Sequence, residues 1–358
     1  MAGWWKVKRE ISRVGQQFVE LKPLLLGPIN RIYYDTFLRK EIRLTEGNQP
    51  VKADIAVVLL YQPDGLLPST FHQLSYFLQN DITPVVVTNA ALSEADRTRL
   101  EELSHLIIER PNFGYDFGGY RDAILELLDR EVEIRNLFVL NDSIWFPVRD
   151  DCTLIEKARS SEADLFGIFY TKKSKRESHW HFHSFFYRFG PKLVASAAFR
   201  DYWRKMPLYQ GAKRLVIRQF EIKLTAVFKS KGFSTGSLYE AEDIQKASQT
   251  LGPEKTVEFV DYHLSADELT NSFFSEMDGL SIADAAWEPT LNKIIAHRRF
   301  GNYFLHAHPW VFLEKLRSPI IKKNKGQKFV AQRDAIVSTG LVSELLPDVR
   351  DELKHWDD

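Results

Sequence analysis

The chain of 358 residues contains a single cysteine, Cys152. One thiol cannot form an internal disulfide or build a cysteine-rich zinc site, and the count suits a reducing compartment. Lysine plus arginine number 48, as do aspartate plus glutamate, so the net charge is zero. That balance gives no reason to expect nucleic acid as a partner. No apolar run approaches the roughly 20 residues needed to span a bilayer. The first residues, MAGWWKVKREISRVGQQF, lack the apolar stretch of a secretory signal. The expected location is therefore the cytoplasm, with peripheral contact at the inner face of the cytoplasmic membrane still open. Gly-x-x-x-x-Gly-Lys-Ser/Thr, Gly-x-Gly-x-x-Gly and His-Glu-x-x-His are all missing. Their absence excludes the commonest ATPases, simple dinucleotide enzymes and zinc proteases.

Apolar residues make up 44% of the chain and charged residues 27%, enough to bury a core. The pattern divides the chain into an N-terminal helical segment over 1–50, an α/β domain over 51–260 and a mostly helical region over 261–358. In the first segment Trp4, Trp5, Val7, Ile11, Val14, Phe18 and Leu21 fall near one helical face, with Lys6, Lys8, Arg9 and Arg13 among them. That suits either a helix in a membrane interface, through residues 1–20, or a helix packed on the main domain. In the second, strands at 54–61, 84–88 and 106–108 alternate with helices, one of them opened by Ser93 and Asp96 in a capping box. Short strands alternating with helices predict a mostly parallel sheet covered on both faces. Strands are also expected at 164–170 and 185–189, and a helix at 215–229. The basic run from Lys322 to Lys328 reads as a mobile tail.

The stretch from Pro111 to Pro147 organises the domain. A glycine-broken loop with Asn112, Gly114, Asp116, Gly118 and Gly119 opens a helix carrying Arg121. A buried strand at 137–140 follows, and its polar tip is Asn141, Asp142 and Ser143. Open α/β sheets bind ligands beyond the carboxyl ends of their strands. The glycines would let backbone approach a phosphate, the helix end and Arg121 would bind it, or the glycines serve only a tight turn and Asp116 only a cap. Asp142 could hold a divalent ion, Mg²⁺ or Mn²⁺, or simply form a hydrogen-bonded turn. His179, His181 and His183 alternate and would share one strand face, which permits metal ligation or hydrogen bonding to a sugar. Glu221 on a helix could serve as general base, or be solvated.

Four motifs in order resemble the rhamnan synthesis F family of bacterial polysaccharide glycosyltransferases. They are Asn112-Phe-Gly-Tyr-Asp-Phe-Gly-Gly-Tyr-Arg-Asp122, Leu140-Asn-Asp-Ser143, His181-Phe-His-Ser-Phe-Phe186 and Phe220-Glu-Ile-Lys-Leu-Thr225. The resemblance implies a GT-A-like αβα sandwich and transfer of a sugar, typically rhamnose, from a nucleotide-sugar donor such as dTDP-rhamnose. The acceptor would be lipid-linked or an oligosaccharide, and the product an O-antigen or cell-wall glycan. Residue by residue, it implies that Asn141, Asp142 and Ser143 stand where many GT-A enzymes have Asp-x-Asp. Asn112, Gly114, Asp116 and Arg121 would line the nucleotide and diphosphate, with Tyr61 and Asn89 flanking base and ribose. Glu221 would be the catalytic base, and His181, His183 and Ser184 would meet donor sugar or acceptor. Asn141 replaces the first acidic residue of Asp-x-Asp. Metal dependence therefore stays open, and a non-catalytic scaffold or a different donor sugar remain the alternatives.

Overall fold

The structure, a computed structural model, describes residues 22–357 apart from Asp267 and Arg298. The helix expected around Trp4 and Trp5 lies outside the described residues. Helix α1 spans 22–36. It is followed by β1 (Arg43–Glu46), β2 (Asp54–Leu60), α2 (Pro68–Gln79), β3 (Thr83–Thr88), α3 (Glu94–Leu103), β4 (Leu106–Glu109), α4 (Tyr115–Asp129) and β5 (Asn136–Asn141). Next come β6 (Ile144–Trp145), α5 (Leu154–Ser160), β7 (Leu165–Thr171), β8 (His181–Phe182) and β9 (Phe186–Phe189). Helices α6 (Pro191–Val194), α7 (Ala197–Lys205), α8 (Lys213–Val216) and α9 (Ile222–Ser230) lead to β10 (Thr235–Tyr239). The rest is α10 (Ala241–Gln249), α11 (Pro253–Ser265), α12 (Glu268–Phe274), α13 (Trp287–Ala296), β11 (Ile321–Lys322), α14 (Gln327–Ser338) and α15 (Pro347–Lys354).

The main sheet runs in the order β1-β4-β3-β2-β5-β9-β7-β10, with β8 against β7. Strands β4, β3, β2 and β5 are parallel, as the alternation of strands and helices predicts. Beyond β5 the sheet is mixed, because β9 lies antiparallel between β5 and β7. The links from β7 through β8 to β9 are too short for the crossover that parallel pairing needs. Strand β1 pairs antiparallel with β4 within the segment read as helical. Its Arg43 and Glu46 put charge on an exposed edge, which discourages pairing with another chain.

All seven residues of β2 are buried, and their side chains alternate between two cores. Ile55, Val57 and Leu59 face α4, α7 and α9. Ala56, Val58 and Leu60 face α2 and the C-terminal helices, including Phe304, Phe312, Ile336 and Leu353. Each valine, leucine, isoleucine or phenylalanine among them contributes about 1.5–3 kcal/mol on burial. The C-terminal region is tied to the sheet by Glu352 as well. Its carboxylate accepts from the Ser69 N–H (2.7 Å), the Ser69 hydroxyl (2.6 Å) and Trp145 Nε1 (2.7 Å).

Two local readings need correction. The helix expected over 215–229 is interrupted by a π turn at Ile217–Glu221. The run from Lys322 to Lys328 is not a loose tail at its start. Ile321 and Lys322 pair with Trp145 and Ile144 of β6. Ile320 and Ile321 are fully buried, so the apolar pair draws the following lysines in with it.

The C-terminal half also buries histidines. His263 stacks on Phe274 (4.7 Å between centroids), packs against Phe259, Tyr262 and Phe300, and has no hydrogen-bond partner on either ring nitrogen among the described residues. Burial pushes its imidazole down to about 3, with His308 adding to the effect. His308, whose Nε2 lies 3.7 Å from Glu258, is likewise pushed down to about 3 by burial. The unfolded chain therefore binds more protons than the folded chain between the ordinary histidine range and about 3. Stability is complete above roughly pH 6.5 and falls below it, by up to about 1.4 kcal/mol per pH unit for each histidine. His263→Phe is expected to raise the urea midpoint at pH 5 more than at pH 8. Equal shifts at both pH values would show that His263 does not titrate on unfolding.

Candidate active site

Strands β2, β3 and β4 step outward in one direction, and the chain then returns to place β5 on the other side of β2. Loops leaving β2 and β5 at their carboxyl ends thus diverge and open a crevice at the switch point. Asp142, just past β5, spans the opening. Its Oδ2 accepts from the Tyr61 backbone N–H (2.7 Å) and from Gln62 Nε2 (3.2 Å). Burial raises the Asp142 carboxyl from its ordinary value, against the Tyr61 N–H and the charge of Lys323. Asn141 Nδ2 donates to Asp116 Oδ2 (2.9 Å), and Asn141 Oδ1 accepts from the Ser143 N–H (3.2 Å) and hydroxyl (2.5 Å). Ser143 Oγ in turn accepts from Lys322 Nζ (2.7 Å).

The resulting cleft encloses about 310 Å³. Tyr61, Asn89, Asn112, Tyr115, Asp116, Phe117, Ser184, Lys213, Val216, Ile217 and Glu221 line it. Arg110 shapes one wall. Its guanidinium donates to Asp122 Oδ2 (2.5 Å), Asn89 Oδ1 (2.7 Å) and the Phe113 carbonyl (2.6 Å). Gly114 caps α4 at φ +83°, and Tyr115 follows at φ +55°. For a tyrosine that left-handed conformation costs about 1–2 kcal/mol, and it aims the first turn of α4 at the cleft. Burial, with Asp142 adding to it, raises the Asp116 carboxyl, while Lys322 and Lys213 pull the other way.

The opposite wall is built from the turn after β8 and from the π turn. Glu221 Oε2 accepts from the Ser184 N–H (3.0 Å) and hydroxyl (2.5 Å), and Oε1 lies 3.6 Å from His183 Nδ1. Burial alone would raise this carboxyl, but His183 and Ser184 outweigh it and hold the group at about 2. His183 Nε2 is 3.0 Å from Thr171 Oγ1, and His181 Nδ1 is 2.8 Å from the His179 carbonyl, which leaves His181 Nε2 for other partners. His181 and His183 lie side by side at 5.5 Å between centroids, whereas His179 sits apart in an exposed 3₁₀ turn. π turns recur at functional sites, and this one faces Glu221 toward Ser184.

The structure thus gathers Tyr61, Asn89, Asn112, Asp116, Ser184 and Glu221 around one cleft, with Asn141, Asp142 and Ser143 hydrogen-bonded at the strand tip. Arg121 does not join them. Its side chain is buried, donates to both oxygens of Asp35 (2.7 and 2.8 Å) and to the Trp203 carbonyl (3.0 Å), and ties α1 and α7 to α4. The glycines also differ from expectation. A Cβ on Gly118 would lie 2.2 Å from the Phe113 carbonyl, and one on Gly119 would lie 2.5 Å from Leu59. Both are small for packing within the protein, and the Gly114 N–H is taken by Gln210 Oε1 (3.2 Å). The strand tip does not fit a divalent ion either. One oxygen each of Asp142 and Asp116 is committed, and the Lys322 ammonium sits beside the tip. Among the described residues, the grouping with ligand geometry is His181, His183 and Glu221, whose ligand atoms lie within 4.8 Å of one another.

Sequence reasoning passed over Arg110, Tyr115, Lys213 and Lys322. Arg110 follows a strand end, a position that could have marked it. Lys322 follows two isoleucines, which could have marked its strand. Nothing in the sequence distinguishes Lys213 from other surface lysines.

Fold and cleft together define an α/β protein with a cleft, the candidate site, at the switch point of a central sheet. The profile described as rhamnan synthesis protein F matches residues 84–261. Protein y4gN of Sinorhizobium fredii is 45% identical over 98% of this chain and 92% of its own length. The chain belongs to the rhamnan synthesis protein F family. Virulence protein VirA of Vibrio anguillarum is 29% identical over 47% of this chain and 54% of its own. Among solved structures, the mannosyltransferase PcManGT of Pyrobaculum calidifontis, in complex with GDP-Man and Mn²⁺, covers 96% of this chain and 94% of its own at 11% identity and a TM-score of 0.30. With so low a score, the site is read from this chain alone.

Arg121→Met is expected to lower stability by roughly 3 kcal/mol, since it strands Asp35 and the Trp203 carbonyl. Nucleotide binding at temperatures where the variant is folded should be unchanged. A weakened affinity with unchanged stability would return Arg121 to the site.

Proposed function

We propose that the chain is a glycosyltransferase that moves rhamnose from dTDP-rhamnose, with inversion, onto a growing bacterial surface polysaccharide such as an O-antigen or cell-wall glycan. The observation that carries this reading is the shared cleft. Residues from five separate stretches of the chain meet there, and they bring the Glu221 carboxylate, the Asn112 amide and the Lys213 ammonium to one cleft. The family's name supports a rhamnose polymer as product.

In this reading Tyr61 and Asn89 flank the base and ribose of the donor, and Asn112 and the first turn of α4 face its diphosphate. Glu221 takes the proton of the acceptor hydroxyl. A carboxylate held at about 2 is ionised throughout the physiological range. It is a weak base toward a free hydroxyl, but the hydroxyl acidifies as its oxygen bonds to the anomeric carbon, so proton transfer belongs to the displacement step itself. Ser184 and His183 fix the carboxylate's orientation. The acceptor, lipid-linked or an oligosaccharide, approaches past His181, and the C-terminal helices complete that side. No helix among the described residues is long and apolar enough to cross a membrane, so work at the inner membrane face would rest on peripheral contact.

One observation favours a second reading for Glu221. Two imidazoles and a carboxylate form a three-ligand set known from metal centres. In that reading the carboxylate is a ligand of a divalent ion and not a base. Glu221→Gln separates the two. As a base, it should bind dTDP-rhamnose like the wild type and lose about 10²–10⁴-fold in kcat. Full turnover in that variant removes Glu221 as base, and loss of Mn²⁺ binding seen by calorimetry would assign it as a ligand.

A further inference from the structure

We propose that Lys322 receives the leaving diphosphate of the nucleotide-sugar donor, so that the cleft works without a divalent ion. The inference rests on the glycosyltransferase reading and adds a residue to it from the far end of the chain.

Position 322 is held firmly. Lys322 pairs with Ile144 and Ile321 with Trp145, so the side chain starts beside the strand tip. Its ammonium donates to Ser143 Oγ (2.7 Å) and lies 4.5 Å from the centre of the Phe185 ring. The charges of Glu221, Asp116 and Asp142 act on it together. Burial pulls the ammonium down to about 8, and these three carboxylates keep it from falling further, so it is charged at neutral pH.

A carboxylate at contact distance would satisfy such a lysine within the fold. Here, among the described residues, the ammonium makes one hydrogen bond, to a neutral hydroxyl, and no ion pair. Two N–H groups remain for a ligand. A half-buried cation so thinly partnered is under-satisfied unless an anion completes its shell. Lys213 lines the cleft and its positive charge also acts on Lys322. The strand tip therefore already holds a cation where a divalent ion would otherwise sit.

The chemistry balances without any further reactant. The acceptor oxygen bonds to the anomeric carbon while the bond from that carbon to the diphosphate oxygen breaks. The bonding pair goes to that oxygen, and the hydroxyl proton goes to Glu221. The diphosphate gains one negative charge as it leaves, next to Lys322. A cation fixed in advance in a water-poor site stabilises that charge without reorganising.

The test measures dTDP, thymidine and dTDP-rhamnose binding by calorimetry, with EDTA and then with Mg²⁺ or Mn²⁺, in wild type, Lys322→Met and Ser143→Ala. Wild type is expected to bind dTDP equally under all conditions. Lys322→Met should lose at least about tenfold in dTDP affinity and keep thymidine affinity, and Ser143→Ala should lose less. If wild type binds dTDP only with metal, or Lys322→Met binds it as well as wild type, the lysine has no such role and the donor reading stands. If wild type binds neither dTDP nor dTDP-rhamnose under any condition, that donor reading falls and the inference falls with it. The metal arm needs no variant, so misfolding of Lys322→Met would not blunt it.

Discussion

A single carboxylate closes the gap on which this site depends. Parallel strands that part at a switch point leave their last backbone groups facing solvent. Asp142, at the end of β5, reaches across to the backbone N–H that follows β2 and to the side chain of Gln62. It thereby fixes the relative height of two strand ends that share no covalent connection nearby. Asn141 and Ser143 hang on either side of it, each with its own partner. The polar tip is thus a truss, and most of its polarity is spent inside the protein.

From that truss a chain of hydrogen bonds runs from Asp116 through Asn141 and Ser143 to Lys322. It joins the start of α4 to a strand far away in sequence. A carboxylate stands at one end and an ammonium at the other, with a neutral amide and hydroxyl between them. Removing any one member leaves its neighbours without a hydrogen-bond partner, so the members are expected to act as a unit. The opposite wall is simpler. Glu221 is clasped by Ser184 from below and His183 from the side, which gives it one orientation.

Much of the frame was legible because burial writes itself into sequence as apolar runs. The strands at 54–60, 83–88 and 136–141 follow from such patterns, and the helix after Ser93 follows from its capping box. The site was legible only in part, for reasons specific to each residue. Arg121 sits on a helix with ten buried positions, and its partner Asp35 lies on an earlier helix. A charge in a phosphate-like motif was therefore assigned to a ligand when it belongs to the fold. The π turn before Glu221 shifts the helix register, and no periodicity announces such an insertion. Lys322 stands in a basic run, whose composition suggests solvent, but two buried isoleucines decide its place.

Lys322 and Ser143 are 179 residues apart in sequence. A ribosome adds roughly 5–20 residues per second, so about 10–40 seconds separate their synthesis. During that interval β6 has no partner strand, and the apolar face that the C-terminal helices later cover is open. The nascent chain thus carries an exposed sticky surface until β11 and the helices that cover it have been made. An unfinished or prematurely terminated copy would present that surface to chaperones and proteases before it could hold a nucleotide sugar. The late arrival of β11 keeps assembly of the cleft tied to synthesis of a segment far downstream of the strand tip.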